Sequence, residues 1–298
     1  MNLRHLEYFV AIADAGSFTG AAERLLVAQP SLSHQIRALE LELGGTLLER
    51  LPRGVRLTAA GQAFLADARL AIAHSERARR AARMALGLQA GELQIATFSS
   101  APAGLLPPIL RRWQERYPDV ELSLREFINR RLLEAEVRGG FGDVAISVRP
   151  PDWSGPVERL GWEEFLVVLP HNDPLLRKRA IDLAWLADRR WVHYQAGHGL
   201  GEIIDLRCAQ SGFSPQIAVR TGQVATAPQL AASGLGPTLA PNHVVPASLR
   251  GLARPVRPPL ARQVVAFARQ EWSPIARAFL EVAREHPWPQ KPRAATQV

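Results

Sequence analysis

Residues 17–45, SFTGAAERLLVAQPSLSHQIRALELELGG, decide how the rest of the chain is read. They spell two short helices joined by a tight turn. In the second half Leu32, Ile36, Leu39 and Leu43 recur at helical spacing as an apolar stripe, which leaves Pro30, Ser33, His34 and Arg37 on the opposite face. Pro30 suits a first helical position, since its missing N–H would find no partner there and its φ is already helical, so the helix is expected to start at about Pro30. In the first half Phe18, Ala21, Ala22 and Leu25 make the matching stripe, and the paired alanines allow a close approach. About four residues, Leu26 to Gln29, separate the two. That is the spacing of a helix-turn-helix, whose second helix lies in the major groove of DNA with its N-terminal residues at base edges.

The side chains on the free face have matching chemistry. Gln29, Ser33 and His34 can exchange hydrogen bonds with base edges, and Arg37 can make a bidentate pair with guanine or a phosphate contact. The same face would also serve as the solvated side of an ordinary helical hairpin, which this stretch alone leaves open. Around it, residues 2–64 carry S-F-T-x-A-A-E-x-L, then Q-P-S-L-S-x-Q-I-R-x-L-E-x-x-L-G, then L-L-E-R-x-x-R-G-V-x-L-T and the T-x-A-G start of a further helix. As a set these resemble the N-terminal domain of the LysR-type transcriptional regulators nearly position for position. The likeness covers about the first 90 residues closely and the remainder more loosely. It implies a DNA-binding role for Gln29, Pro30, Ser31, Ser33, His34, Arg37 and Arg53.

Length and composition fit two domains. The 298 residues allow a sizeable core. The formal charge of +8 suits a polyanionic partner. Yet residues 1–58 hold six basic and six acidic side chains, so placement of a few arginines, and not net charge, marks the DNA reader. The single cysteine, Cys208, excludes an internal disulfide and a cysteine zinc framework, and it reads as a small buried residue. The eight histidines show no convincing metal spacing, no cofactor motif is present, and no nucleophile clusters with a base, so catalysis is not expected. The charged first helix and the lack of a long apolar run predict neither a signal peptide nor a membrane span, hence a soluble cytoplasmic protein.

Along the chain, Asn2 to about Ala15 reads as a helix bracing the helix-turn-helix, and residues 46–58 as a wing, a hairpin around Pro52-Arg53-Gly54 with Arg53 reaching phosphate or a narrow minor groove. From Thr58 a helix runs to about Leu86. Phe64, Ala68, Ala71, Ser75, Ala78 and Ala82 form a heptad seam of small residues on it, and the resemblance implies that this seam dimerises. GLQAG, 87–91, is a hinge by composition, and strands then alternate with helices as in a parallel sheet covered by helices. The GHGLG run at 197–201 lacks the context of a dinucleotide fingerprint and is expected to be a flexible loop, and the Pro-rich end is expected to be disordered.

The fold expected is therefore α/β: a winged helix-turn-helix at 1–58, a linker helix and hinge at 59–90, and an effector-binding domain at 91–298. The resemblance implies two subdomains like those of periplasmic binding proteins, 91–162 with 263–298 and 163–262. Ligands of open α/β sheets sit beyond the carboxyl ends of strands. That rule brings forward Ser99, Ser100, Asn129, His198, Gln223 and Thr226, which the resemblance identifies as effector-contacting loops. Their helix-start amides and hydroxyls favour a small carboxylate or similar anion. The resemblance further implies homodimers or homotetramers on promoter DNA, with contact to RNA polymerase. The rival reading is a small-molecule-binding module whose N-terminal helices serve only protein contacts.

Overall fold

The computed structural model describes residues 1–52, 54–85, 91–292 and 295–297. Arg53, the expected helix end at 86 and residues 87–90 of the expected hinge lie outside the described residues. The chain divides into two compact units, Met1–Gly91 with Arg138–Phe141, and Glu92–Val137 with Gly142–Val298.

The first unit opens with α1 (Leu3–Ala15), capped by the Asn2 side chain and ended by Gly16 in the left-handed region at φ 65°. Ser17 caps α2 (Phe18–Leu25), whose Gly20 N–H donates to Ser17 Oγ at 3.1 Å. The next helix, α3 (Gln29–Leu43), starts one residue before the expected Pro30. The turn is therefore Leu26 to Ala28, and it is shortened because Leu26 itself takes up the left-handed conformation at φ 55°. The wing is β1 (Leu48–Arg50) paired antiparallel with β2 (Val55–Leu57). Thr58 Oγ1 then accepts from Gly61 N–H at 3.0 Å to start α4 (Ala59–Ala85). Gly61 has to be glycine: a Cβ there would lie 2.1 Å from the Leu47 carbonyl oxygen. Phe9, Ile12, Ala21, Leu32, Ile36 and Leu39 fill the core, each worth roughly 1–3 kcal/mol of burial.

The long helix corrects part of the expected dimer seam. Phe64 meets Phe9 edge-on with centroids 5.3 Å apart, and Ala68 is buried in the same core, so these two pack against α1. The seam and the α1-facing stripe share residues because both follow a helical period. Ala71, Ala78 and Ala82 are exposed and Ser75 is half-buried.

The second unit runs β3 (Glu92–Phe98), α5 (Pro107–Arg116), β4 (Glu121–Phe127), α6 (Arg130–Arg138), β5 (Val144–Ser147), β6 (Val157–Val168) and β7 (Ile181–Asp182). It continues with β8 (Arg190–Tyr194), α7 (Gly199–Gln210), β9 (Gln216–Thr221), α8 (Thr226–Leu230), β10 (Thr238–Pro241), β11 (Ala253–Phe267), α9 (Pro274–Arg284) and β12 (Thr296–Gln297). The main sheet has the order β10-β6-β11-β5-β3-β4, with β7 and β12 also pairing with β11, while β8 and β9 form a parallel pair of their own. Only β4–β3–β5 of the main path is parallel. The expected parallel sheet is only partly formed because β6 and β11 run antiparallel, paired from Val157↔Phe267 to Leu260↔Phe165 with a one-residue shift at Val264/Val265, and again at Ala253–Pro255. Both strands are longer than their alternation suggests. Gly161 interrupts one, where a Cβ would strike Trp288 at 2.4 Å. Prolines interrupt the other, and the ladder breaks between Pro255 and Leu260, where Pro258 and Pro259 have no N–H to give.

The β6–β11 pair runs between two cores. Val264 and Ala266 belong to one, with Leu93, Ile95, Trp113 and Phe279, whereas Phe165, Val167 and Leu260 belong to the other, with Trp191, Tyr194 and Ile204. Two smaller expectations are also corrected. GHGLG is mostly helix, since Gly199–Gly201 are the first turn of α7, and within the Pro-rich end Thr296–Gln297 pair parallel with Leu260–Ala261. No helix among the described residues is long and apolar enough to cross a membrane.

Candidate functional site

On α3 the stripe Leu32, Ile36 and Leu39 is buried, while Gln29, Pro30, Ser31, His34 and Arg37 are exposed. One expected member of the free face is not on it. Ser33 is buried, and its Oγ accepts from Arg50 Nη2 at 2.7 Å. Helical spacing alone cannot foresee this cover, because Arg50 arrives from β1, seventeen residues on. Arg56 of the wing pairs with Glu49 at 2.6 Å.

In the second unit a cavity of about 380 Å³ opens where β3, β4 and β5 end and α7 begins. Ser99, Ser100, Asn129 and His198 line it, and Gln223 and Thr226 are not among its lining residues. Those two satisfy each other instead, Thr226 Oγ1 donating to Gln223 Oε1 at 3.2 Å in the turn before α8. The end of β9 meets the loop after β8, where Gln195 N–H donates to the Thr221 carbonyl at 3.0 Å. Conversely, Ser147 and Arg149 line the cavity at the end of β5. The same rule, applied to the DVAISV strand, would have found them. Arg262 lines it too, from the crossing strand β11, and no sequence pattern marks it.

The polar groups of the cleft are already bonded across it. Asn129 Nδ2 donates to the Gly197 carbonyl at 2.8 Å, and its Oδ1 accepts from Leu132 N–H at the start of α6. Gly199 N–H donates to the Ile128 carbonyl at 2.8 Å. His198 Nδ1 accepts from Leu200 N–H at 3.2 Å and so caps α7. That bond leaves the ring proton on Nε2, which donates to Ser99 Oγ at 3.3 Å. The imidazole stacks on Tyr194, 4.9 Å between centroids, and burial, followed by the neighbouring Arg262 charge, pushes its pKa below the usual histidine range. His198 is therefore a neutral hydrogen-bond donor.

Beneath these groups Arg262 forms a buried ion pair with Glu163 and donates from Nη2 to Ser100 Oγ at 3.2 Å. Its guanidinium lies 4.4 Å from the Phe98 ring centroid and 5.3 Å from that of Phe165. His243 approaches the same carboxylate, Nδ1 to Glu163 Oε2 at 3.5 Å, and its Nε2 meets the Ser100 carbonyl at 3.0 Å. One charge cluster thus ties β3, β6 and β11 together under the cavity. Cys208 is fully buried in α7, and burial pushes its thiol up to about 12, which leaves almost no reactive thiolate at neutral pH.

Residues 3–62 match the family described as "Bacterial regulatory helix-turn-helix protein, lysR family", and residues 86–288 match "LysR substrate binding domain". Among curated relatives, the chain is 35% identical over 292 residues to the Hca operon transcriptional activator HcaR of Escherichia coli strain K12, spanning 96% of this chain and 98% of the other. It is 36% identical to the HTH-type transcriptional regulator AlsR of Bacillus subtilis strain 168, over 81% of each. Among solved structures, full-length CbnR complexed with its target DNA superposes with a TM-score of 0.66 at 29% identity, over 95% of this chain and 99% of that one. The two family matches between them take in both units, and the chain belongs to the lysR family of bacterial DNA-binding transcriptional regulators, with an effector-binding domain.

Proposed function

We propose that α3 enters the major groove and that Gln29, Pro30, Ser31, His34 and Arg37 meet base edges and phosphates there, with Arg53 contributing a further phosphate or minor-groove contact. The observation that carries this reading is the exposure of those five side chains on α3, while Leu32, Ile36 and Leu39 of the apolar stripe are buried and Leu43, at its end, is exposed. Two copies joined through Ala71, Ser75, Ala78 and Ala82 would present paired readers to half-sites about 34–36 Å apart or a multiple of that. Dimers of dimers on bent DNA, contact with RNA polymerase and a cytoplasmic location belong to the same reading.

The effector site is the cavity between residues 91–162 with 263–298 and residues 163–262. Ser99, Ser100 and His198 supply donors to a small carboxylate, and Arg149 adds a cation at the rim. Asn129 acts by holding α6 against Gly197, with both its amide nitrogen and its amide oxygen engaged. A ligand that prefers one cleft geometry shifts the protein toward it, and a coupling of about 1–3 kcal/mol is enough to alter promoter binding.

The test is a footprint of the full-length chain on DNA upstream of its own gene, at about 150 mM salt so that phosphate contacts alone do not mimic recognition. Protection spaced by helical turns is expected. Arg37→Ala should weaken it by about 1–3 kcal/mol without moving the unfolding midpoint. Equal weak binding to an unrelated fragment, unchanged in the variant, would defeat the assignment of α3 as a base reader.

A further inference from the structure

Ser33 lies four residues from both Gln29 and Arg37, so the three share one stripe of α3. Its neighbours on that stripe are exposed, yet Ser33 is only 8% exposed. Arg50, at the end of β1, covers it. Beyond the 2.7 Å bond to Ser33 Oγ, the guanidinium carbon sits 4.5 Å from the centroid of the Phe18 ring, the first residue of α2. Arg50 is itself exposed, and the adjacent wing carboxylate, Glu49, is engaged by Arg56. Among the described residues no carboxylate pairs with Arg50.

A guanidinium held on its face by a ring and on one edge by a hydroxyl has lost its rotamer freedom before any partner arrives, and its remaining N–H groups are uncommitted. Its position says what the partner is. When a helix-turn-helix docks, the first helix crosses the phosphate backbone and the second enters the groove. A cation fixed between the start of α2 and the outward stripe of α3 lies at the seam of those two surfaces, where phosphates pass. We propose that Arg50 is a pre-set contact to a DNA backbone phosphate, and that Ser33 and Phe18 are positioning residues that act through it. This rests on α3 being the helix that enters the groove. It also gives Ser33 a part in DNA binding that needs no contact with a base.

The experiment measures affinity of the full-length chain by fluorescence anisotropy across a salt series, on a random-sequence duplex and on the duplex footprinted upstream of its own gene. Arg50→Ala should lower the slope of log affinity against log salt by about 0.9 per bound subunit, equivalent to about 3.5-fold between 50 and 200 mM, and equally on both duplexes. Arg50→Lys should keep the slope while losing affinity on both, since the charge stays and the fork is gone. Ser33→Ala should do the same more weakly. An unchanged slope in Arg50→Ala overturns the proposal, and so does a loss confined to the footprinted duplex, which would make Arg50 a base contact. If Arg50→Ala lowers the thermal midpoint, Arg50→Lys decides, and wild-type affinity in that variant overturns the proposal. Failure of the wild-type chain to bind either duplex is a different result, and defeats the α3 reading itself.

Discussion

The two recognition surfaces treat their polar groups in opposite ways. On α3 the side chains Gln29, Ser31, His34 and Arg37 stand in solvent, whereas in the cleft Asn129 and His198 are bonded to backbone, Ser99 to His198, and Arg262 to Ser100 and Glu163. A surface that meets a hydrated polyanion can leave its donors in water until contact, because water is their partner meanwhile. A cavity that excludes most water has to satisfy its donors internally. Affinity in the cleft is then a difference between the bonds an effector makes and those it displaces, and the same side chains carry stability as well as binding.

The strongest way to break this contrast is the ion pair under the cavity. Glu163→Ala leaves Arg262 buried with no counter-charge and should destabilise the second unit by about 3–5 kcal/mol in chemical denaturation, while the double replacement of Glu163 and Arg262 by methionine should recover most of it. A single variant within about 1 kcal/mol of wild type would show that the cleft charges are not tied to stability.

A smaller effect comes from His198. Burial and then Arg262 hold its folded pKa below the usual value, so the unfolded chain binds its proton more readily. The stability linked to it is complete above about pH 6.5 and is lost as pH falls toward the folded value. His243 and His286 shift in the same direction, chiefly through burial, so wild type should lose stability on acidification and His198→Gln should lose less. Superimposable thermal midpoints for the two proteins from pH 7 to about pH 5 would remove His198 from the contrast. The smallest effect belongs to the wing. The Arg56–Glu49 pair is 67% and 47% exposed, and Arg56→Ala should change unfolding free energy by less than about 1 kcal/mol, vanishing at high salt.

The contrast also explains what the sequence could disclose. The helix-turn-helix was legible because its stripes, caps and turn are local: Ser17, Pro30 and Gly44 punctuate helices that the apolar spacing already marks. In the cleft, the rule about strand ends named Ser99, Ser100, Asn129 and His198, which line the cavity, together with Gln223 and Thr226, which are not among its lining residues. Arg262 and Glu163 were illegible. They meet only because β6 and β11 pair across 99 residues of chain, and nothing local in either strand announces the partner. The cover on Ser33 was hidden for the same reason, since Arg50 comes from another element.

The paired crossing strands have a mechanical consequence. Two separate single-strand linkers would let the halves of the second unit bend in any direction, but β6 and β11 are laddered together over the whole crossing. Bending such a ribbon within its own plane stretches hydrogen bonds, whereas coiling it more or less tightly changes only a twist that sheets vary at small cost. The ladder skips a residue at Val264/Val265, close to the crossing, and a bulge is where extra coiling collects. Torsion about the ribbon axis is therefore a cheaper deformation of the paired strands than bending in their plane, and it leaves the length of ribbon between the two cores unchanged.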